Sequence, residues 1–314
     1  MFARAPLRAM GRGYCYQHSG VLVRSQIAIP EWQPFVSEHD SEADVEIGFV
    51  ELEPEFSNNN AASHWDGTTL SFTVDDIAHW SISGGDRIAI APFEGAHETA
   101  LRSFTLGSSW AAIGYQRGWA MLHGSAVEIG GRAVLFCGGQ ERGKSTMAAA
   151  LCARGARLMV DDLSRVEAGA DGEAALLYPS APRLKLWQDA IAHLGLADSI
   201  AAQDDFRDAK YHLSSNADAS AESVELAAII VLDWGDRLDF EHLQGSTALM
   251  SVLEEAAYRP EMVEAMGVHS EQAAHFARIV SSTPVWRMQR PREFAKIGTV
   301  CETVEQLAAD LTVN

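Results

Sequence analysis

The sequence predicts an α/β domain built around a sheet of mixed direction, preceded by a smaller β-rich N-terminal domain. In the N-terminal part, short segments with partial apolar alternation are separated by loop-forming residues. From residue 123 onward, hairpin signals are mixed with helical segments, and residues 226–232 form the continuous apolar run expected of a strand buried on both faces. We therefore expect a β-rich domain over residues 1–105 and an α/β domain over residues 106–314.

The N-terminal domain is predicted from three strand-like segments, which are residues 45–52, Thr69–Val74 and 86–91. Loop-forming residues at 57–60 and 84–85 separate them. Residues 98–121 carry apolar groups at helical spacing and are predicted to lead into the second domain. No motif in this half indicates a chemical activity.

The elements of the second domain follow from turn signals and periodicity. Gly130-Gly131 predicts a two-residue hairpin turn between residues 125–129 and 132–137. Asp171-Gly172 predicts a second hairpin, which joins residues 164–167 to residues 174–178. The remaining predicted elements, in chain order, are a helix over 143–154, a strand over 156–160, the strand 226–232, and helices over 247–279 that are interrupted at Pro260.

Composition excludes several classes of function. The 314-residue chain has a formal net charge of −19, which disfavours binding to nucleic acid or to an anionic membrane surface. Its 4 cysteines form no C-x-x-C pair and show no metal-ligand spacing. No apolar run reaches the length of a transmembrane helix, so the expected location is the cytoplasm.

One motif points to phosphate chemistry. Residues 138–145 read Gly-Gly-Gln-Glu-Arg-Gly-Lys-Ser and fit the pattern G-x-x-x-x-G-K-[ST], with a predicted strand before them and a predicted helix after them. The glycines allow a tight turn in which successive backbone N–H groups face one concavity, and the helix N-terminus favours the same anion. The motif therefore predicts an ATP-binding loop.

Within this loop, Lys144 is expected to reach the β- and γ-phosphates, and the Ser145 hydroxyl is expected to hold Mg²⁺. The residues predicted to bind ATP are Gly138, Gly139, Gln140, Glu141, Arg142, Gly143, Lys144, Ser145 and Thr146.

A phosphate-transfer site also needs a carboxylate for the metal ion and a base for the acceptor hydroxyl. Two predicted strands end in aspartate, one at Asp161-Asp162 and the other at Asp233. The adjacent pair is the stronger candidate because one carboxylate can face the metal while the other faces the acceptor. Asp233 fits an ordinary surface residue at a strand end.

Residues 123–167 resemble the catalytic core of HPr kinase/phosphorylase. The resemblance rests on His123-Gly124 upstream of the loop, on Arg154-Gly155 at the end of the following helix, and on the Asp161-Asp162 pair. It implies a P-loop kinase domain of the HPr kinase type, with a mixed sheet flanked by helices, that uses ATP and Mg²⁺ to phosphorylate a serine of a protein.

The same resemblance implies roles for individual residues. Asp161 or Asp162 takes the proton of the acceptor, and His123 lies against that pair. Mg²⁺ is assigned to Ser145 and Asp162, and Lys144 is counted among the catalytic residues. Members of the family often assemble, which leaves a homo-oligomer open as a partner.

The sequence departs from the family in two places. Thr146 follows the Lys-Ser pair where the family usually has Glu, and the acidic, Gly-rich second signature is not evident, which puts the reverse phosphorylase reaction in doubt. The segments around residues 179–187, 210–213 and 284–292 are similar to HPr-kinase-like proteins of lasso-peptide gene clusters, which phosphorylate the C-terminal serine of a precursor peptide. Three residues then become candidates for binding phosphate or the acceptor, namely Arg183, Lys185 and Lys210.

Three functions stay open at this point. The first is a serine kinase that acts on a peptide or protein. The second is an ATPase or nucleotide switch that controls a partner without phosphorylating it. The third is a kinase for a small hydroxylated metabolite, because nothing in the sequence indicates the size of the acceptor.

Overall fold

The protein is seen in a computed structural model that describes residues 7, 13–39, 41–51, 63–170, 173–181, 183–204, 207–214 and 220–311. These residues form a mixed α/β structure. They divide into unit 1, with the described residues of 1–121 and 258–272, and unit 2, with those of 122–257 and 273–314. The assignment of domains to residues 1–105 and 106–314 stays a prediction.

Unit 1 is built on a 7-stranded sheet with the order β1-β2-β3-β7-β6-β5-β4. Its strands are β1 (Tyr14–His18), β2 (Val21–Ser25), β3 (Val45–Phe49), β4 (His64–Trp65), β5 (Thr69–Val74), β6 (Ala78–Ser83) and β7 (Arg87–Pro92). β3 pairs in parallel with β2 and β7, whereas β5, β6 and β7 form an antiparallel meander. The three predicted strands are thus confirmed: β5 matches its prediction, β7 is shifted by one residue, and β3 ends earlier than predicted. The predicted loop at 57–60 and residue 52 lie outside the described residues.

The core of unit 1 contains a buried histidine within an aromatic cluster. The ring of His18 stacks on Trp32 with centroids 4.1 Å apart, and Trp110 meets it edge-on at 5.1 Å. Burial lowers the pKa of His18 to about 3. Its imidazole is therefore neutral in the folded protein near neutral pH.

Unit 1 also contains helices that follow β7. These are α1 (Glu98–Phe104), a π-helical turn (Thr105–Ser109) and α2 (Trp110–Gln116). The helical prediction for residues 98–121 is wrong at its end, because Gly118 takes a φ of 69° and the Trp119 amide donates to the carbonyl of Gly114. A glycine in the left-handed region terminates helices in this way. Ala120 then begins a strand.

The main sheet of unit 2 is 7-stranded, with the order β11-β10-β8-β9-β15-β17-β16. Its strands are β8 (Ala120–Ile129), β9 (Arg132–Cys137), β10 (Arg157–Glu167), β11 (Leu176–Leu177), β15 (Val224–Trp234), β16 (Asp239–Leu243) and β17 (Val285–Arg290). β15 pairs in parallel with both β9 and β17, and β8 pairs antiparallel to β9 around Gly130-Gly131. The first predicted hairpin and the mixed direction of the sheet are therefore confirmed.

Helices cover this sheet, and a smaller sheet stands beside it. The helices are α3 (Lys144–Cys152), α4 (Gln188–Leu194), α5 (Gly245–Ala256), α7 (His269–Ser282, which begins in unit 1) and α8 (Ile297–Asp310). The small sheet has the order β12-β14-β13, formed by β12 (Arg183–Trp187), β13 (Ile200–Gln203) and β14 (Lys210–Ser214). Leu184, Leu186 and Leu213 join Met147 and Val304 in one apolar core, which fixes the small sheet beside α3.

The acid pair predicted to end a strand lies inside one. The predicted strands 156–160 and 164–167 form one continuous strand, β10, which contains both Asp161 and Asp162. Adjacent carboxylates are unfavourable in strands. They are accommodated because side chains and one amide of neighbouring strands bind them. The partner segment of the second hairpin forms only β11, antiparallel to β10, and the predicted turn at 171–172 lies outside the described residues.

The predicted interruption of the C-terminal helices is confirmed. After α5, the chain is extended at Ala257, Arg259 is left-handed, and Pro260 begins α6 (Pro260–Met266), where its missing N–H costs no helical hydrogen bond. None of the helices in the described ranges is both long and apolar enough to cross a membrane.

Candidate functional site

The site is organised by the carboxyl ends of three parallel strands in unit 2. β9 leads directly into the loop 138–143, β15 ends at Asp233 and Trp234, and β17 ends at Arg290. The register places Trp234 opposite Arg290. Open α/β sheets bind ligands beyond the carboxyl ends of their parallel strands, so this edge is the expected position for a site.

The loop requires glycine at both ends of the motif. Gly138 has a φ of 139°, and a Cβ atom there would lie 2.9 Å from the backbone oxygen of Leu232. Gly143 has a φ of 80°, and a Cβ atom there would overlap the guanidinium of Arg290. Only glycine meets both demands without strain, which explains the spacing of the motif in this chain.

Lys144 folds back over the loop from the first position of α3. Its Nζ atom donates to the carbonyl oxygens of Gly138, at 2.6 Å, and of Gly139, at 3.1 Å. The residue is only 9% exposed. Burial lowers the pKa of Lys144, and the nearby charges of Asp162, Asp161 and Glu255 partly oppose that effect.

The first turn of α3 adds backbone donors. Gly143 is the N-cap and offers no side-chain cap, so the N–H groups of Lys144, Ser145 and Thr146 have no acceptor within the helix. Ser145 and Thr146 are half-buried. An anion placed here would meet these amides and the positive end of the helix dipole.

The bulky middle of the loop faces outward. Gln140 and Glu141 are exposed, and Glu141 is left-handed with a φ of 62°. The Nη1 atom of Arg142 lies 2.8 Å from an oxygen of Asp233. Asp233, predicted as an ordinary surface residue, thus holds the loop through Arg142.

Asp161 is held by two donors from neighbouring strands. The Ser125 hydroxyl donates to Oδ1 at 2.6 Å, and the Lys185 amide donates to Oδ2 at 2.8 Å. Ser145, from the loop motif, lies close enough to this carboxylate to lower its pKa. Burial raises the pKa of Asp161, and these hydrogen bonds act against that rise without cancelling it.

Asp162 is surrounded by basic side chains. Its Oδ2 atom lies 3.3 Å from Nζ of Lys185, and its Oδ1 atom lies 3.5 Å from Nε2 of His123. Burial acts to raise its pKa, but the charges of Lys185, His123 and Lys210 outweigh burial, and the net pKa of Asp162 is lowered. The side chain is 37% exposed, so an incoming group can reach it.

The backbone of Asp162 is strained. Its φ is 99°, a region that residues with a side chain rarely adopt. Such a conformation costs on the order of 1–3 kcal/mol and is found most often at functional sites. The opposite pKa shifts of Asp161 and Asp162 are a second sign of function, because a pair of acids separated in this way can divide the roles of ionised base and held carboxylate.

The small sheet brings the predicted basic residues to the same place. Lys185 and His212 are paired across β12 and β14, as are Trp187 and Lys210. Lys210 lies over the ring of Trp187 at 5.5 Å, and its charge reaches both aspartates. Side chains alternate along a strand, so Arg183 shares the face of Lys185.

Arg183 lies close enough to His212 to affect its ionisation. Burial lowers the pKa of His212, the charge of Arg183 lowers it further, and a 3.0 Å contact with Asp204 opposes both. The three basic candidates, Arg183, Lys185 and Lys210, thus lie on one face of the small sheet.

Most residues singled out from the sequence meet in unit 2. Ser145, Lys144, the acid pair and His123 form one group, whereas Gln140 and Glu141 do not turn toward it. Two participants were missed. Ser125 could have been found from its position two residues after His123 on the same strand face, but nothing in the sequence indicates Arg290, which reaches the loop from the end of β17.

No protein-family model matches the chain, and no curated protein matches it. Among solved structures, the chain is similar to the HPr(Ser) kinase/phosphatase from Coxiella burnetii, with 14% sequence identity and a TM-score of 0.33; the match covers 62% of this chain and 96% of that chain.

Proposed function

We propose that this chain is an ATP- and Mg²⁺-dependent kinase that transfers the γ-phosphoryl group to a serine hydroxyl of a peptide or protein. The single observation that carries the proposal is the contact between the loop and the acid pair. Ser145 of the loop motif lies close enough to Asp161 to lower the pKa of its carboxyl group, and the neighbouring Asp162 lies 3.3 Å from Lys185 and 3.5 Å from His123. This arrangement supports a site in which a phosphate-binding loop lies beside an ionised carboxylate.

The residues of the loop are suited to bind a nucleoside triphosphate. The glycines at 138 and 143 shape a loop that no larger residue could form, and Lys144 and the first-turn amides of α3 supply a cation and free donors. Bound ATP and Mg²⁺ would supply the phosphoryl group and neutralise its charge. Mg²⁺ is commonly held by one or two carboxylates together with phosphate oxygens, which suits an isolated acid pair.

The geometry supports a division of work between the two acids. The sequence assigns the metal to Ser145 and Asp162; the proximity of Ser145 to Asp161, which lowers the pKa of that carboxyl group, favours Asp161 as the metal-holding carboxylate. Asp162 is then the base. The acceptor oxygen forms a bond to the γ-phosphorus, its proton passes to Asp162, and the bond from the γ-phosphorus to the β–γ bridging oxygen breaks.

The basic residues have roles consistent with this reaction. Lys185 and His123 contact Asp162 directly and fix the direction of its carboxylate. Lys210 and Arg183 lie further along the same face, where they would meet an acceptor or the phosphate that moves to it. The finer proposal of a C-terminal serine on a precursor peptide rests only on sequence resemblance.

Phosphate transfer from γ-labelled ATP tests the proposal. The wild-type protein is incubated with Mg²⁺ and serine peptides, including pairs with the serine at the C-terminus and in the interior. Label on a peptide supports the kinase. Free phosphate with no labelled peptide or metabolite supports the ATPase or switch, and label on a small hydroxylated metabolite supports the third alternative.

Two variants separate the roles of the acids. We expect Asp162→Asn to lower kcat by at least about 100-fold, the usual contribution of a general base, while the Mg²⁺ concentration at half-maximal rate stays unchanged. Asp161→Asn should instead raise that Mg²⁺ concentration. The exposed Asp239→Asn serves as control, since it removes the same charge at the start of β16. The reverse pattern would return Mg²⁺ to Asp162, and full transfer with both acids replaced would refute the assignment.

A further inference from the structure

A buried arginine lies against the phosphate-binding loop. Arg290, the last residue of β17, is 6% exposed, and its Nη2 atom donates to the carbonyl oxygen of Arg142 at 2.8 Å. Its guanidinium lies 4.3 Å from the centre of the Trp234 ring. The arginine is thus fixed on one side by stacking and on another by a peptide of the loop.

The loop is shaped to admit these two side chains. A Cβ atom on Gly143 would overlap Nη2 of Arg290 and would lie 3.6 Å from the indole of Trp234. The glycine of the G-K-S motif therefore leaves room for a cation as well as providing a left-handed turn. The guanidinium lies directly beside the peptide that precedes the Lys144 amide.

The charge of Arg290 has no carboxylate partner in the part of the chain that the structure describes. Its Nε atom also has no hydrogen-bond partner there. Burial lowers the pKa of Arg290 to about 10, so the side chain is still a cation at neutral pH. Buried cations are usually paired, and an unpaired one costs stability unless it serves an anion.

We propose that Arg290, stacked on Trp234, is a positioning residue for the phosphate-binding loop. It holds the Arg142–Gly143 peptide so that the following amides face the phosphates, and it adds a fixed positive charge beside them. The inference rests on the proposed function only in that the loop must bind a nucleotide. It concerns neither the acceptor nor the base.

The chain offers a closely matched control for the experiment. Arg292 also lies over the Trp234 ring, at 5.7 Å, but it is exposed. Arg290→Met and Arg292→Met therefore remove the same charge near the same indole, and only the first removes the contact with the loop. Calorimetry measures the affinity of each full-length variant for Mg·ATP, ADP and AMP.

We expect Arg290→Met to weaken ATP binding about tenfold or more, as for loss of a charged hydrogen-bonding group, with smaller losses for ADP and AMP. Arg290→Lys, which keeps the charge, should recover part of the ATP affinity, and Arg292→Met should stay within about twofold. A structural defect alone would lower all three affinities equally and would not respond to lysine.

The outcomes are separable. Wild-type protein that binds no Mg·ATP would overturn the proposed function and this inference with it. Binding by the wild type, together with equal affinities for Arg290→Met and Arg292→Met, would overturn the inference alone. If Arg290→Met does not fold, Arg290→Lys decides: retained ATP affinity relative to AMP supports the role of the charge, and an equal loss for all nucleotides refutes it.

Discussion

At the residue scale, the acid pair depends on Ser125, a serine outside the set of predicted site residues. Ser125 is 1% exposed and donates its hydroxyl to Asp161 at 2.6 Å. That hydrogen bond lowers the pKa of Asp161 against the effect of burial. Ser125 therefore helps to keep a half-buried carboxylate ionised.

We expect Ser125→Ala to move the acidic limb of the kcat/KM profile to higher pH. Losing the hydrogen bond raises the pKa of Asp161 further, so the carboxylate becomes protonated at a pH where the wild type is still ionised. The measurement is kcat/KM against pH. Ser164→Ala, equally buried at 1% and bonded to the Leu122 carbonyl, should leave the limb in place. An unchanged limb in Ser125→Ala would contradict the role.

Sequence patterns predicted the residues of this site unevenly. The loop and the acid pair were recognisable because their spacing along the chain encodes their geometry. Ser125 had only a weak signal, its position two residues after His123, and Arg290 had none, because it reaches the loop from the end of another strand. The strained φ of Asp162 likewise has no local signature.

At the element scale, the phosphate-binding loop combines two separate demands on Gly143. One is a left-handed backbone, and the other is space for Arg290. Gly131, in the hairpin between β8 and β9, meets only the first demand: its φ is 84°, and a Cβ atom there would have open space for 4 Å around it. The two glycines form a natural comparison.

We expect Gly143→Ala and Gly131→Ala both to lower the free energy of unfolding by roughly 1 kcal/mol or more, the cost of a left-handed alanine. Only Gly143→Ala should also lose Mg·ATP affinity, because its methyl group displaces the Arg290 guanidinium. Denaturant unfolding and calorimetry on both variants provide the measurement. Equal ATP affinity in the two variants would show that the contact with Arg290 is irrelevant to binding.

Element predictions succeeded where the signal was local. The Gly130-Gly131 hairpin, the helix after the loop and the break at Pro260 each depend on a few adjacent residues. The sequence predicted two strands in place of β10 because the groups that bind its two aspartates come from other elements and leave no local signal. The helix end at Gly118 was missed because apolar spacing continued past it.

At the scale of the whole molecule, buried histidines in unit 1 link stability to pH. Burial lowers the pKa of His18 to about 3 and that of His79 to about 4. The unfolded chain binds protons near the ordinary pKa of 6.5, whereas the folded chain does not, so stability is complete above that pH and is lost as pH falls below it.

For His18, the loss should be on the order of 2 kcal/mol between about pH 6.5 and about pH 5. We expect His18→Phe to flatten this dependence, leaving the part due to His79. Denaturant unfolding followed by tryptophan fluorescence reports on the region, since Trp32 and Trp110 contact the ring. His39→Phe, at an exposed position, should keep the wild-type slope. A slope that survives in His18→Phe unchanged would exclude His18 as its source.

Unit 1 consists of two separate stretches of the chain, and this limits when it can complete its fold during synthesis. Residues 258–272 complete unit 1: the Tyr115 hydroxyl donates to the Tyr258 carbonyl, and the Gln272 side chain donates to that of Trp119 at 3.0 Å. We therefore expect ribosome-bound chains that end near residue 121 to remain protease-sensitive, and chains that expose residue 272 to gain protection. Unit 1 would complete its fold only after residues 122–257 of unit 2 have been translated. Protease protection of chains that end before residue 258 would show that residues 258–272 are dispensable for the folding of unit 1.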